Sequence, residues 1–400
     1  MKILQVTPFY PPHVGGVEFH VYNLAKNLRL LGNDVSIVTS DVPQHYSSDK
    51  KLIRLPPVHQ FFGTPICPSI FKKLNEVEAE VVHIHAPPRF FPEATTMFYK
   101  FFKKKVPLII TNHAPVTERF ILVDAARASN LLSLEKAVCM LHDRLPYYWV
   151  HKCAKRIIVQ GEAMKALLFS AILKNQVQDF SQKIRLIPNG VDDKMFDPKI
   201  YNEEVARKKF NIREEHVIVF VGRLAKHKGI DYLIKALKLV KADLPDVLLV
   251  IVGNGNERNN LENLSRKLHV DQNVMFVGDL PHDNIPLILS LATVLAHPSF
   301  YEGIPTIVLE AMSMAKPVVV TNAGCMSEVV QNGQTGFVVE KGNISQLAHA
   351  LLLVLSNSRL ALHMGQKGRD LVKEKYSWEV VAKKHVEVYE EVLSECNPLS

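Results

Sequence analysis

Short runs of apolar, largely β-branched residues recur along the whole 400-residue chain, and the stretches between them carry helical periodicity. This alternation constrains the fold more than any other feature. Strands joined by crossover helices pair in parallel, and a parallel sheet has to be covered on both faces. The runs predict strands at Lys2 to Val6, Asp34 to Thr39, Glu80 to Ile84, Leu108 to Thr111, Arg156 to Val159 and Lys183 to Ile187. A second series follows at His216 to Val221, Val247 to Val252, Asn273 to Val277, Thr293 to Ala296, Pro317 to Val320 and Gly336 to Val339. Helical patterns lie between them, among them Glu18 to Leu31, closed by Gly32, and Gly229 to Lys241. The fold class is α/β, with two doubly wound, Rossmann-like parallel sheets.

The turn-forming stretch Pro188-Asn189-Gly190-Val191-Asp192, followed by a charged segment, marks the boundary. It divides the chain into residues 1–190 with 376–400, where the last helical pattern is expected to return to the first domain, and residues 191–375. Ligands of such sheets bind beyond the carboxyl ends of the strands, so a cleft between two facing sheets is expected. Five widely spaced cysteines without a C-x-x-C pair argue against a disulfide framework or a zinc ribbon, and suit a cytoplasmic setting. No stretch approaches the ~18 uncharged apolar residues of a membrane span.

Charge is unevenly placed. Residues 1–190 hold 24 Lys and Arg against 14 Asp and Glu, whereas residues 191–400 hold 24 against 26, so the halves carry +10 and −2. A basic half suits nucleic acid, an anionic lipid surface or an acidic small molecule, and composition does not choose among them.

Three motifs stand just after predicted strands. Gly15-Gly16 opens a helix, where backbone N–H groups and the helix dipole suit a phosphate, although two glycines also make an ordinary tight turn. Gly222-Arg223-Leu224-Ala225-Lys226-His227-Lys228-Gly229 brackets a loop with cations before another helix, as a diphosphate site or a solvated basic turn would. In the third, Glu302 and Glu310 are separated by Gly303-Ile304-Pro305, so Glu302 belongs to a loop and Pro305 opens a helix carrying Glu310 in its second turn. Glu310 stands among Ile307, Val308, Leu309, Ala311 and Met312, an unlikely setting for a charge without a partner.

In their order, these elements resemble a retaining glycosyltransferase of the GT-B fold, glycosyltransferase family 4. Also matching are Val252-Gly253-Asn254-Gly255, Lys316-Pro317-Val318-Val319, Glu328 and Gly333-x-Thr335-Gly336, and the similarity runs over essentially the whole chain. The resemblance implies transfer of a hexosyl group from a nucleotide diphosphate sugar, such as a UDP- or GDP-sugar, to an acceptor hydroxyl. It assigns Arg223, Lys228 and Gly16 to the donor diphosphate, and Glu310 to the ribose. Glu302 and His113 become the catalytic residues beside the transferred sugar, with backbone contacts from Gly303, Ile304, Thr306 and Ile307. Ala114 follows His113, where the family more often has Asp or Thr.

No cofactor and no metal are expected: there is no Asp-x-Asp motif, and the cations can neutralise the leaving group. His83-Ile84-His85 puts two imidazoles on one strand face, able in principle to hold a metal, but the sequence places no third ligand beside them. No first-domain carboxylate presents itself as a nucleophile for double displacement, whereas a front-face route needs only the cations.

The family pattern gives donor binding to the second domain and the acceptor to the first, so the positive excess points to an acidic or membrane-borne lipid or glycan acceptor, at the inner face of the cell membrane. Met97 to Lys105 interleaves four aromatics with four lysines. Such a helix suits an anionic lipid surface, or packs Phe98, Phe101 and Phe102 into the core and leaves its lysines solvated. Thr117 to Val150 is expected to form two helices shaping an acceptor pocket. Alternatives are a sugar phosphorylase or epimerase, or a non-catalytic nucleotide-sugar-binding subunit; the lack of a recognised motif argues against nucleic acid.

Overall fold

The computed structural model describes residues 1–13, 15–45, 47–61, 64–86, 90–113, 146–171 and 180–396. Most of Thr117 to Val150 lies outside them. The chain forms two compact units, one of Met1–Asn189 and the chain from Trp378 on, the other of Gly190–Ser377.

In the first unit the elements run β1 (Lys2–Val6), α1 (Gly16–Leu30), β2 (Asp34–Ser40), β3 (Leu52–Leu55), β4 (His59–Phe61), β5 (Thr64–Ile66), α2 (Ile70–Glu76), β6 (Val81–Ala86), α3 (Phe91–Phe102), β7 (Leu108–Asn112), α4 (Tyr148–Cys153), β8 (Arg156–Val159), α5 (Glu162–Ala171) and β9 (Ile184–Leu186). Among the described residues one sheet has the order β3-β2-β1-β6-β7-β8-β9, and its recorded ladders are all parallel. The sequence did not single out β3, a four-residue edge strand, or the antiparallel pair β4 and β5. Both are too short for the alternation to register.

The second unit contains α6 (Glu203–Phe210), β10 (His216–Val221), α7 (Ile230–Asp243), β11 (Val247–Val252), α8 (Arg258–Lys267), β12 (Val274–Gly278), α9 (Ile285–Leu291), β13 (Val294–His297), α10 (Thr306–Ser313), β14 (Val318–Thr321), α11 (Met326–Val329), β15 (Gly336–Val339), α12 (Ile344–Leu355) and α13 (Ser358–Lys375). Its sheet has the order β12-β11-β10-β13-β14-β15 and is likewise parallel. Each predicted strand is present, and the reversal of strand order beside β1 and beside β10 is that of doubly wound sheets.

The cores follow from the apolar runs. In the first unit Ile3, Val21, Leu24, Leu28, Ile37 and Ile109 pack with Trp378, Val381, Tyr389 and Val392 of the last helix, α14 (Trp378–Cys396), which lies on α1. In the second, Ile218, Phe220, Leu249 and Ile251 pack with Leu233, Leu237, Leu351 and Val354 from α7 and α12. Each such side chain contributes roughly 1.5–3 kcal/mol when fully buried. No single described helix is long and apolar enough to cross a membrane; α12 and α13 pass only as a pair bent by 99°.

Candidate active site

In the second unit the loops after β10, β11, β13 and β14 lock together through glycines. Gly229 adopts φ 67° and Gly253 φ 119°, a region side chains avoid. An added Cβ would overlap the carbonyl oxygen of Pro298 at Gly229, of Gly222 at Gly253, and of Glu302 at Gly324. The Phe300 N–H donates to the His227 carbonyl at 2.8 Å, the Ser299 hydroxyl donates to the same oxygen at 3.1 Å, and the Cys325 N–H donates to the Gly303 carbonyl at 3.3 Å. The segment carrying Glu302 is therefore held on one side by the Lys226–Lys228 turn and on the other by the loop after β14.

Glu302 and Lys228 form a direct ion pair with about 15% of each side chain exposed. The same carboxylate oxygen, Oε1, lies 3.0 Å from His297 Nε2 and 3.0 Å from the Ser299 hydroxyl oxygen. Burial alone would raise the Glu302 pKa, but the His297 hydrogen bond and the Lys228 charge outweigh it and hold the carboxyl at about 2. It is an anion at neutral pH, suited to accepting hydroxyl hydrogen bonds rather than giving a proton. Arg223 is exposed and forms no ion pair among the described residues. Its cation and that of Lys228 flank the same loop.

Pro305 precedes α10, whose first helical residue is Thr306, so Glu310 does fall in the second turn. The first-turn N–H groups of a helix have no intrahelical acceptor. Ile304 and Ile307 are buried, whereas Gly303 and Thr306 are partly exposed. Glu310 is only 6% exposed, and its Oε1 lies 2.9 Å from His282 Nε2. Burial lowers the His282 pKa, yet the Glu310 hydrogen bond and charge raise it overall. His282 and His297 escaped the sequence reading. His297 ends a strand and His282 follows one, a positional signal that could have found them; His113 was named by the family resemblance instead.

The first unit builds a different site. His83 and His85 do share a face of β6, with ring centroids 4.3 Å apart. The expectation that no third ligand lies nearby is corrected: α1 crosses that face and brings His20, and the end of β7 brings His113. One ring nitrogen each of His20, His85 and His113 lies within 4.8 Å of the other two. His85 Nδ1 is 3.2 Å from His113 Nε2, His20 Nδ1 is 3.1 Å from Asn189 Oδ1, and Gln160 donates to that same oxygen at 2.9 Å. The His113 backbone N–H donates to the Ala86 carbonyl at 2.8 Å, which fixes the residue beside β6. Burial first, then repulsion from neighbouring imidazoles, holds His20, His83 and His85 well below the ordinary histidine range and His113 at about 3. These rings are neutral.

Gly16 is the first residue of α1, and an added Cβ there would meet nothing within 4 Å. The protein's own packing therefore does not demand glycine at that position. Behind it, the buried Glu18 carboxylate folds back over Gly15 and lies 2.9 Å from His13 Nδ1.

Among comparisons with known proteins, the model of glycosyl transferases group 1 matches residues 202–371 and that of glycosyltransferase family 4 matches residues 14–194. An uncharacterized glycosyltransferase of Methanocaldococcus jannaschii is 30% identical over 97% of this chain and 98% of its own. The phosphatidylinositol N-acetylglucosaminyltransferase GPI3 subunit of Saccharomyces cerevisiae is 25% identical over 98% of this chain and 83% of its own. Among solved structures, Anabaena HepE in complex with UDP superposes with a TM-score of 0.75 at 18% identity, covering 98% of this chain and 100% of that one.

Proposed function

This chain belongs to glycosyltransferase family 4, among the group 1 glycosyl transferases with the GT-B fold, and on that premise we propose that it is a retaining hexosyltransferase acting from a nucleotide diphosphate sugar. The observation that supports this reading most is the anionic Glu302 held against Lys228 at the carboxyl ends of parallel strands, with the exposed Arg223 on the same loop. In this proposal Arg223 and Lys228 neutralise the charge that develops on the departing nucleoside diphosphate. Glu310, beside His282, accepts the ribose hydroxyls. Glu302 and the backbone at Gly303, Ile304, Thr306 and Ile307 receive the donor sugar and its phosphate. Gly16 and His113 are the first unit's contributions, and the low pKa of His113 makes it a neutral hydrogen-bonding group rather than a proton donor.

The acceptor is proposed to be a lipid or glycan at an anionic membrane surface. On α3, Phe98 and Tyr99 are buried, but Phe101 and Phe102 are 62% and 74% exposed beside the exposed Lys100, Lys104 and Lys105. Of the two readings of this helix, its exposed tip favours the lipid-facing one. Lys103 differs, because its ammonium donates at 3.2 Å to the carbonyls of Leu74, Asn75 and Val77 and so closes the end of α2. A sound vesicle test therefore spares it. Phe101→Ser with Phe102→Ser, and separately Lys104→Glu with Lys105→Glu, should weaken sedimentation with anionic vesicles; equal binding to neutral and anionic vesicles would contradict this part. The activity itself is tested by product formation from a panel of UDP-, GDP- and ADP-sugars, with Lys228→Ala as the inactive control.

A further inference from the structure

We infer that His20, His85 and His113 form a binding site for a borderline divalent transition ion of the Zn²⁺ or Co²⁺ class. The three imidazoles come from α1, from β6 and from the residue after β7, and each can offer a nitrogen within 4.8 Å of the others. The His85 Nδ1 to His113 Nε2 separation of 3.2 Å is close to the edge of a tetrahedral zinc site, about 3.4 Å for bonds of about 2.0–2.1 Å. At present those two nitrogens share a proton. An ion would take its place and draw in the third ligand.

Two further observations point to a ligand rather than to packing. The Nε2 atom of His20 is buried without any hydrogen-bond partner, on a side chain that is 4% exposed. A buried ring nitrogen without a partner is costly, and metal coordination is one way to satisfy it. The outer contact of His20 also suits ligation: its Nδ1 donates to Asn189 Oδ1, which leaves Nε2 as the coordinating nitrogen. Such contacts orient metal-bound imidazoles. His83 is excluded from the set because Tyr389 and Thr111 occupy its nitrogens at 2.8 and 2.7 Å. A set of neutral imidazoles without a carboxylate favours zinc-like ions over magnesium or calcium.

This inference shares His113 with the donor-site reading, whose cations and carboxylates all lie in the second unit, and its test reads metal binding rather than transfer. Full-length protein stripped with a chelator is titrated with Co²⁺ and followed by visible ligand-field absorption. One equivalent should bind with the intense bands of a four-coordinate ion, and X-ray absorption should show three imidazoles in the first shell. His20→Ala and His85→Ala should abolish these bands, Asn189→Ala should weaken binding by about 10- to 100-fold, and His349→Gln with His363→Gln, both exposed on the second unit, should change nothing. Retention of the bands in folded His20→Ala and His85→Ala proteins would overturn the assignment. If those variants do not fold, a shell with fewer than three imidazoles in the parent protein would overturn it just as directly.

Discussion

The two units share an architecture and differ in what they bury at the ends of their strands. The first gathers uncharged histidines, with His20, His83, His85 and His385 all buried within a few ångströms of one another's rings. The second gathers charges, Lys228 against Glu302 and His282 against Glu310. A doubly wound sheet fixes where side chains converge without fixing their chemistry, and function has to be argued from the site. The charged site suits a diphosphate and hydroxyls. The imidazole site suits a borderline metal ion or a neutral hydrogen-bonding partner.

The comparison breaks most visibly if the charges of the second unit prove dispensable. Lys228→Ala should lower kcat by roughly 10²–10³-fold. It also leaves the buried Glu302 without its cation, which costs about 3–5 kcal/mol of stability. Glu302→Gln keeps the shape and should spare more stability than activity. Steady-state kinetics and chemical denaturation separate the two effects, and wild-type turnover by Lys228→Ala would remove the second unit's claim to the donor.

Acidification should distinguish the units next. The first unit's histidines have folded pKa values depressed by burial, to about 3 for His113 and about 4 for His385. Their neutral state favours folding fully above the unfolded value near 6.5, and that contribution is lost as pH falls below it, by about 1.4 kcal/mol per group per pH unit. In the second unit His282 has a raised pKa, so its contribution is present below 6.5 and is lost as pH rises through the folded value. Glu302, held at about 2, loses its contribution only as pH falls from its ordinary value of 4.5 toward that level. Between pH 6.5 and 5 the first unit should weaken more than the second, where the lowered pKa of His227 is set against the raised pKa of His282. The chain's two tryptophans, Trp149 and Trp378, both belong to the first unit, so in chelator-containing buffer their fluorescence transition should move to lower denaturant while the far-ultraviolet signal keeps a later phase. A coincident shift of both signals would contradict the contrast.

Glycines give the smallest and cleanest contrast. Gly253→Ala forces a Cβ into the Gly222 carbonyl at positive φ and should unfold the loops after β10 and β11. Gly16→Ala meets no protein atom, and by helix propensity should leave stability unchanged or raise it by up to about 1 kcal/mol. A loss of transfer by Gly16→Ala with unaltered melting would then report the donor phosphates themselves.

The strands were readable because a buried parallel strand is a dense apolar run, and the loops because their glycines and prolines stand at fixed places in those runs. The partners were not. Glu310 among apolar neighbours signalled that a partner must exist, but His282 is 28 residues earlier in the chain and no periodicity links the two. The same holds for His20, His85 and His113, which only the strand order β1-β6-β7 and the crossing of α1 bring together. Exposure along α3 was undecided for a related reason: Phe98 and Phe101 are at helical spacing, and only the end of the helix leaves the latter in solvent.

The central claim is that the donor is held by the second unit's charged loops, and hydrogen exchange followed by mass spectrometry tests it most directly. With the sugar nucleotide that gives product, protection should appear over residues 222–229 and 298–310 and should vanish in Arg223→Ala with Lys228→Ala, while His20→Ala leaves it in place. Protection confined to the first unit, or unchanged in the Arg223 and Lys228 variant, would contradict the claim.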